Sequence, residues 1–529
     1  MEKRLIIAIA LSLIILLAFQ RFFKAPPVRE GQKAAEPTRP VAVAPTPAPA
    51  PAPVPEELPK GEETVVQTEK HTIVFTDIGG AIKEIDLRDF KGDKEEELVL
   101  CKAGPGEGIF AISSPNLPEI ETGRYKMTRG ENFIEYRLVE PGVAEVTKRY
   151  SFYKSFNYMD LSVLIKNLSS RNIHFSYEIK GPSGVERTEK ITGRSFLESA
   201  TMVDDKVLRK KSVKGMQEKT GSISWAALKN RYFALILKPF NPPYSAIVRE
   251  APDKGMSMAL RSRVYTLKPG ESIEDSYLIY GGTLSENRLA AIGYGMENVL
   301  DYGIFGGVSK MLLSILRFFH KGTRNWGVAI ILLTMLINAV LFPLTKKSVT
   351  SMHQMKTIQP HMQKLKELHK DNPQKLNKEM MELYKKYNVN PLSGCLPLLL
   401  QMPVFIALYQ GLIRSVELKG ASFLWIKDLA RPDAVKLPFS LPVIGASINI
   451  LPLLMVGMMV VQQRISQGAT AAAMTDEQAS QQKMMMVVFP LVFGFLFYNM
   501  PSGLVLYWLT NTVLMTAEQK LMARRFEHE

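Results

Sequence analysis

Apolar positions along the chain follow two different rhythms. Between residues 61 and about 300 they alternate, as in Leu161, Val163 and Ile165 and again in Phe233, Leu235 and Leu237, with Gly79-Gly80, residues 167–170 and Lys268-Pro269-Gly270 as turn signals between runs. Period-two alternation broken by short turns predicts an antiparallel β-sandwich, and about 240 residues suffice for such a core. From residue 326 onward the apolar positions merge into runs of membrane length at 326–344, 395–413, 441–461, 484–498 and 503–520, the fourth notably short. A further run, 5–19, is apolar but for Ser12 and reaches spanning length once 20–23 are included by tilt or snorkelling. Between the two regimes, 302–320 sets Ile304, Val308, Leu312, Ile315, Leu316 and Phe319 on one helical side with Lys310 and Arg317 elsewhere, the pattern of an amphipathic helix lying in the membrane interface.

The expected division is therefore an anchor at 1–24, a tether at 25–60, a β-sandwich domain at 61–300, an interfacial helix at 301–322, a five-span core at 323–522 and a tail at 523–529. The anchor follows Met1-Glu2-Lys3-Arg4, and no small-residue cleavage site follows its apolar run, since Ala18-Phe19-Gln20 is a poor one. The tether holds eleven prolines, many alternating with alanine, a composition that packs no core and prefers extended polyproline conformations.

Charge sets the orientation. The net charge of +15 divides as +3 over residues 1–60, +1 over 61–300 and +11 over 301–529 (24 Lys/Arg against 13 Asp/Glu), so the basic excess belongs to the membrane half. Residues 345–392 carry ten Lys/Arg against four Asp/Glu, which makes that loop cytoplasmic. Counting spans outward, the N-terminus is cytoplasmic, the β domain outside, the 415–440 loop outside and Arg524-Arg525 inside. Within 361–387, Met362, Leu365 and Leu368, then Leu376, Met380 and Leu383, fall at helical spacing on either side of Asp371-Asn372-Pro373, so the basic loop reads as a helical hairpin whose charges meet anionic lipid. No zinc spacing, aromatic RNA-binding motif or basic recognition helix accompanies the basic charge, which excludes a specific nucleic-acid partner. Cys101 and Cys395 fall on opposite sides of the membrane, so neither a disulfide nor a cysteine metal site is expected.

Three uncharged amides lie in the interior of spans, at Asn338, Gln401 and Asn511. Such groups face a bundle interior or a wet cavity rather than lipid, or simply tie helices together. At about 1.5 Å per residue, Asn338 and Gln401 lie roughly 9 Å, and Asn511 roughly 13 Å, from the cytoplasmic ends of their spans. Thr334 shares the face of Asn338, and Trp508 precedes Asn511 by three residues. A common depth favours a cavity open to the cytoplasm over scattered ties, whereas Asn449, about 18 Å from its inner end, falls outside the cluster. The spans at 326–344, 395–413 and 441–461 contain no Asp, Glu, Lys, Arg or His, and the last two contain only Glu518 and Lys520 near the inner end, so a proton relay or ion-coupled pump lacks its groups. No nucleotide loop, zinc-protease helix or serine-hydrolase elbow is present, and Ser502 has no histidine in any span to act as its base.

Motifs sharpen this reading. Asn325-Trp326-Gly327, Phe342-Pro343-Leu344-Thr345, Asn390-Pro391-Leu392-Ser393-Gly394-Cys395, Leu399-Leu400-Gln401-Met402-Pro403, Ala407-Leu408-Tyr409, Ser415-Val416-Glu417-Leu418, Phe489-Pro490 and Pro501-Ser502-Gly503-Leu504-Val505-Leu506-Tyr507 follow one another over nearly 200 residues. In this order they resemble the bacterial YidC membrane protein insertase family, and the anchor, tether and β domain, with Trp225-Ala226-Ala227 near Arg231-Tyr232-Phe233, resemble its Gram-negative form. The resemblance implies a polytopic α-helical inner-membrane protein of six spans, with a five-helix core bundle, a large all-β periplasmic super-sandwich domain, no enzymatic activity and no cofactor. It implies a hydrophilic groove open to cytoplasm and lipid, lined by Thr334, Asn338, Gln401, Trp508 and Asn511. Met402 and Pro403 on the third span, with Phe493 and Leu496 on the fifth, would form an apolar slide for substrate. Nascent membrane proteins, the Sec translocon, a ribosome or targeting receptor at the hairpin and tail, and anionic lipids are the implied partners. Two departures stand out: Asn338 occupies the place the family commonly gives to a groove arginine, and Trp508 stands where a tyrosine is frequent. A small-molecule transporter and a membrane-anchored envelope sugar-binding protein are the alternatives.

Overall fold

The computed structural model describes residues 61–91, 97–104, 107–153, 156–186, 196–251, 255–369, 372–387, 396–441, 445–467 and 488–528. The expected anchor at 1–24, the tether at 25–60 and Cys395 lie outside them. The chain divides into two compact units at Gly282/Thr283.

Among the described residues the first unit is all-β but for one short helix, α1 (Glu119–Thr122). Among the described residues its largest sheet has nine strands, in the order Lys206–Lys210, Glu198–Val203, Ile223–Lys229, Phe233–Pro239, Ser272–Thr283, Tyr158–Asn167, Ala144–Phe152, Phe133–Glu140 and Lys126–Arg129. Phe233–Pro239 is an interior strand, and where alternation is expected at Phe233, Leu235 and Leu237 the residues Phe233, Ala234, Leu235, Ile236 and Leu237 are all buried, an unbroken apolar run covered on both faces. Tyr158–Asn167 alternates instead, burying Leu161, Val163 and Ile165. Leu161 pairs with Tyr150 on one side and Tyr277 on the other, so one inner face is continuous across three strands. A five-stranded sheet orders Met216–Thr220, Ser245–Ala251, Gly255–Arg261, Glu178–Lys180 and Ile112–Ser113, and a four-stranded meander runs from Glu63 to Lys102.

The turn signals sit where the alternation placed them. Gly79 and Gly80 have φ of +66° and +51°; a Cβ on Gly79 would lie 2.5 Å from the Glu121 carbonyl, and one on Gly80 would lie 2.8 Å from Tyr136. Only glycine combines that backbone with that clearance. Side chains from Ala144–Phe152 hold this turn from inside: the Tyr150 hydroxyl donates to Gly80 O at 3.0 Å, and Lys148 Nζ donates to Gly79 O at 3.0 Å and Phe110 O at 2.7 Å. Burial pushes the Lys148 amine down to about 7. A second buried polar group, Asp275, accepts from the hydroxyls of Tyr177 (2.6 Å) and Tyr265 (2.7 Å) and from Asn241 Nδ2 (3.0 Å), so its desolvation is offset by donors from three other segments.

The second unit is helical. Its elements are α2 (Glu286–Ile292), α3 (Gly306–Thr323), α4 (Trp326–Thr357), α5 (Gln359–Leu368), α6 (Pro373–Lys386), α7 (Leu396–Arg414), α8 (Ile450–Gln467), α9 (Val488–Tyr498) and α10 (Ser502–His528). α10 packs on α8, α4 and α7, while α3 packs on α4 and α7. Among the described residues, one stretch, Trp326–Ser351 of α4, is long and apolar enough to cross a membrane, with a mean hydropathy of 2.4; Ile450–Ile465 and Val488–Tyr498 are shorter apolar helices.

Several boundaries differ from expectation. The span expected from 441 begins at Ile450, because Val435–Leu441 and Gly445–Ile448 pair as a β-hairpin instead. Its first turn is fixed from outside by Asp433, whose Oδ2 accepts from Leu451 N at 2.9 Å, a carboxylate on the positive end of the helix. α4 does not stop at 344 but continues through Pro343 to Thr357, and α10 runs to His528, past the boundary expected at 522. In α3 the stripe that packs inward is Ser309, Leu312, Leu313 and Leu316; Ile304 and Val308 are exposed, at 94% and 37%. The hairpin expected at 361–387 is present as α5 and α6, with Asn372 accepting from Lys375 N at 3.1 Å as the cap of α6 and His369 reaching Glu379 at 2.9 Å.

Candidate functional site

Five uncharged polar side chains, Thr334, Asn338, Gln401, Tyr507 and Asn511, converge on one contact region among α4, α7 and α10. Thr334 and Asn338 are four residues apart on α4, hence on one face, and both are buried. Asn338 Nδ2 donates to Asn511 Oδ1 on α10 at 2.9 Å and to Thr334 O at 2.8 Å, while the Thr334 hydroxyl turns back to Ile330 O at 2.7 Å. Gln401 on α7 donates from Nε2 to the hydroxyl of Tyr507 on α10. Tyr507 and Asn511 are again four apart, so one face of α10 receives amides from two different helices. Thr512 and Thr516 extend the polar run, donating to Trp508 O at 2.8 Å and Thr512 O at 2.6 Å. The resulting seam is hydrogen-bonded and carries no formal charge, so it offers short-range donors and acceptors without a long-range field.

Two of the three amides are thus joined directly, and the third reaches the same helix. Trp508 lies beside them in an aromatic cluster, with ring centroids 4.9 Å from Phe405, 5.4 Å from Phe493 and 5.3 Å from Phe497. Of the slide residues, Met402 and Leu496 are exposed at 42% and 40%, Pro403 is half-buried, and Phe493 belongs to that cluster. The larger apolar surface on α9 comes from residues not singled out in the sequence, above all Leu491 and Phe495, which i, i+4 spacing would have paired. Tyr507 was likewise overlooked, although its spacing from Asn511 marks the shared face. Asn449 stands apart: its Oδ1 accepts from Ala434 N at 2.9 Å, and its Nδ2 donates to Tyr498 O at 2.7 Å. Ser502 Oγ donates to Asp428 O at 3.0 Å and Arg431 O at 2.7 Å, which fastens the turn before α10.

Comparison with known proteins gives these features a class. Residues 63–315 match the family model described as the YidC periplasmic domain, and 318–529 match the one described as 60Kd inner membrane protein, so this is an inner-membrane protein with a large all-β periplasmic domain. Full-length relatives named membrane protein insertase YidC include that of Geotalea daltonii, 32% identical over 548 residues and covering 98% of both chains. That of Citrifermentans bemidjiense is 33% identical over 550 residues, again covering 98% of both. The chain belongs to the YidC family of membrane protein insertases, and its work is insertion rather than catalysis. Family membership decides against the transporter and sugar-binding alternatives. Among solved structures, an active YidC insertase with its first transmembrane domain resolved is 18% identical, covers 87% of this chain and 93% of that one, and has a TM-score of 0.35. A galactose mutarotase related enzyme from Lactobacillus acidophilus is 9% identical, covers 42% of this chain and 97% of that one, and has a TM-score of 0.32.

Proposed function

We propose that this insertase receives the polar segment of a nascent membrane protein at the seam of α4, α7 and α10 while the adjoining apolar segment leaves along α7 and α9. The observation that carries the reading is the grouping of Thr334, Asn338, Gln401, Tyr507 and Asn511 within predominantly apolar stretches of three helices. Removing a polar segment from water without partners costs several kcal/mol per group, and exchangeable amide and hydroxyl partners lower that barrier. Each protein–protein bond in the seam can be traded for one to substrate or water, because an amide has two donors and an acceptor with two lone pairs. Burial of roughly 20 apolar residues in lipid then drives the step to completion without nucleotide hydrolysis. Met402 on α7 and Leu496 on α9, with Pro403 and Phe493, supply the apolar track.

In the corresponding topology the chain crosses the membrane six times, the last five crossings forming the core bundle, with the N-terminus, the α5–α6 hairpin and the C-terminal tail cytoplasmic. The hairpin contacts anionic lipid and receives substrate from a ribosome or targeting receptor, and the protein works alone or beside the Sec translocon. The test is photocrosslinking from Gln401, Trp508, Met402 and Leu496 to ribosome-bound nascent chains. Capture of the polar segment at Gln401 and of the apolar segment at Met402 and Leu496 is expected. Capture at none of them, in protein that still inserts substrate, would refute the assigned path. Deleting 360–388 abolishes insertion while the bundle remains folded; full activity of that deletion would remove the hairpin from the mechanism.

A further inference from the structure

One exposed turn in the second unit carries two costs at once. Phe423 and Ile426 form an isolated antiparallel bridge, with Phe423 N donating to Ile426 O at 2.9 Å and Ile426 N to Phe423 O at 2.8 Å. Leu424 and Trp425 are therefore the two central residues of a tight hairpin. Leu424 has a φ of +52°, at a position where such turns favour glycine, and its side chain is 75% exposed. A leucine kept in a strained conformation in order to point outward marks a surface that meets something apolar.

The surroundings say what that is. The ring of Phe423 rests on Gly327, the second residue of α4: a Cβ there would fall 2.1 Å from Phe423 Cγ. The tip is thereby held at the beginning of the apolar stretch Trp326–Ser351. Other rings lie nearby in the chain: Trp326, beside Gly327, stacks on His320 with ring centroids 3.8 Å apart, and Phe318, in the second half of α3, is 71% exposed. The indole of Trp425 is 41% exposed, yet its Nε1–H is already used, donating to Asp433 Oδ2 at 3.1 Å. Its exposed ring can enter an apolar medium without stranding a donor. Lys427, also exposed, follows two residues later, where a headgroup phosphate would lie.

We propose that the Leu424–Trp425 tip is a lipid anchor that inserts into the outer-leaflet interface of the bilayer crossed by α4. The proposal rests on the reading that α4 spans the membrane. It gives the loop before α8 a partner, the acyl–headgroup boundary, and makes the tip a fixed depth marker for the end of the bundle opposite the cytoplasmic hairpin.

The test uses the full-length chain in phosphatidylethanolamine/phosphatidylglycerol vesicles with and without brominated acyl chains. Subtracting the fluorescence of W425F from that of the wild type isolates Trp425 from Trp225, Trp326 and Trp508. Brominated lipid is expected to quench the Trp425 share while iodide in the medium does not. Leu424→Gly, which suits the positive φ and so should fold, is expected to reduce that quenching. A Trp425 share quenched by iodide and not by lipid places the tip in water, and one quenched by neither places it against protein; either result overturns the anchor. Undiminished quenching in Leu424→Gly overturns the role of the leucine. Resistance to alkaline extraction, measured on the same vesicles, separates the two levels: an integrated chain with an unquenched tip defeats the anchor alone, and a chain stripped from the vesicles defeats the spanning reading with it.

Discussion

Replacing Lys148 by methionine tests the interior of the β domain through its pH dependence. The amine is fully buried; its hydrogen bonds go to two carbonyls, Gly79 O and Phe110 O, at 3.0 and 2.7 Å, and it lies 5.8 Å from the centroid of the Tyr150 ring. A neutral amine has two N–H donors, so these acceptors match the uncharged form, and no carboxylate bonds to the nitrogen. Burial lowers the folded value from 10.5 to about 7. The sign follows by linkage: between pH 7 and 10 the unfolded chain holds a proton here that the folded chain has lost, so stability rises with pH. The slope is about 1.4 kcal/mol per pH unit, or on the order of 3 kcal/mol between pH 7 and 9.5. The buried tyrosines Tyr125 and Tyr136 have values pushed above 10, so they do not titrate in the folded state over this window. Lys148→Met leaves both carbonyls without a donor, at about 1–3 kcal/mol each, partly offset by the relief of the buried amine. The expected result is a variant destabilised by on the order of 2 kcal/mol at pH 7, with the gap to wild type widening steadily to pH 9.5. The assay is urea unfolding of the full-length chain in detergent at several pH values, followed through the near-ultraviolet signal of buried Trp225. A gap independent of pH would show that the amine does not titrate in this range, and the argument from burial would fail.

Other perturbations probe the helical unit. A double-mutant cycle on Asn338→Leu and Asn511→Leu, read as thermal unfolding in micelles, should give a coupling of about 0.6–1.7 kcal/mol; additive effects would mean the two amides do not meet. Gly327→Ala drives a Cβ into Phe423 and should destabilise by about 1–3 kcal/mol while shifting Trp425 emission. An unchanged spectrum and midpoint would refute that contact. Asn338→Arg restores a positive charge to the seam, and Asn511 Oδ1 remains available to accept from it. Insertion of substrates with acidic tails should improve, and an insertion assay showing no change, or general loss, would count against the electrostatic reasoning.

The two rhythms of apolar residues were enough to separate a β domain from a helical one, because burial on a pleated or helical surface imposes its own period. Leu161, Val163, Ile165 and the Gly79-Gly80 turn came out where the pattern put them for that local reason. The motifs around Gln401 and Pro501–Tyr507 likewise point to the family by their residues and order alone. Partners were another matter. That Asn338 meets Asn511, that Gln401 meets Tyr507, and that Lys148 reaches two carbonyls from separate loops depends on contacts between segments distant in the chain, which no local period encodes. The start of α8 shows the same limit: residues 441–448 are apolar enough for a span, yet the pairing of Val435–Leu441 with Gly445–Ile448 and the carboxylate of Asp433 set its first turn at Ile450. Leu424 is the sharpest case, since hydrophobicity alone would have buried it, and only the folded backbone turns it outward.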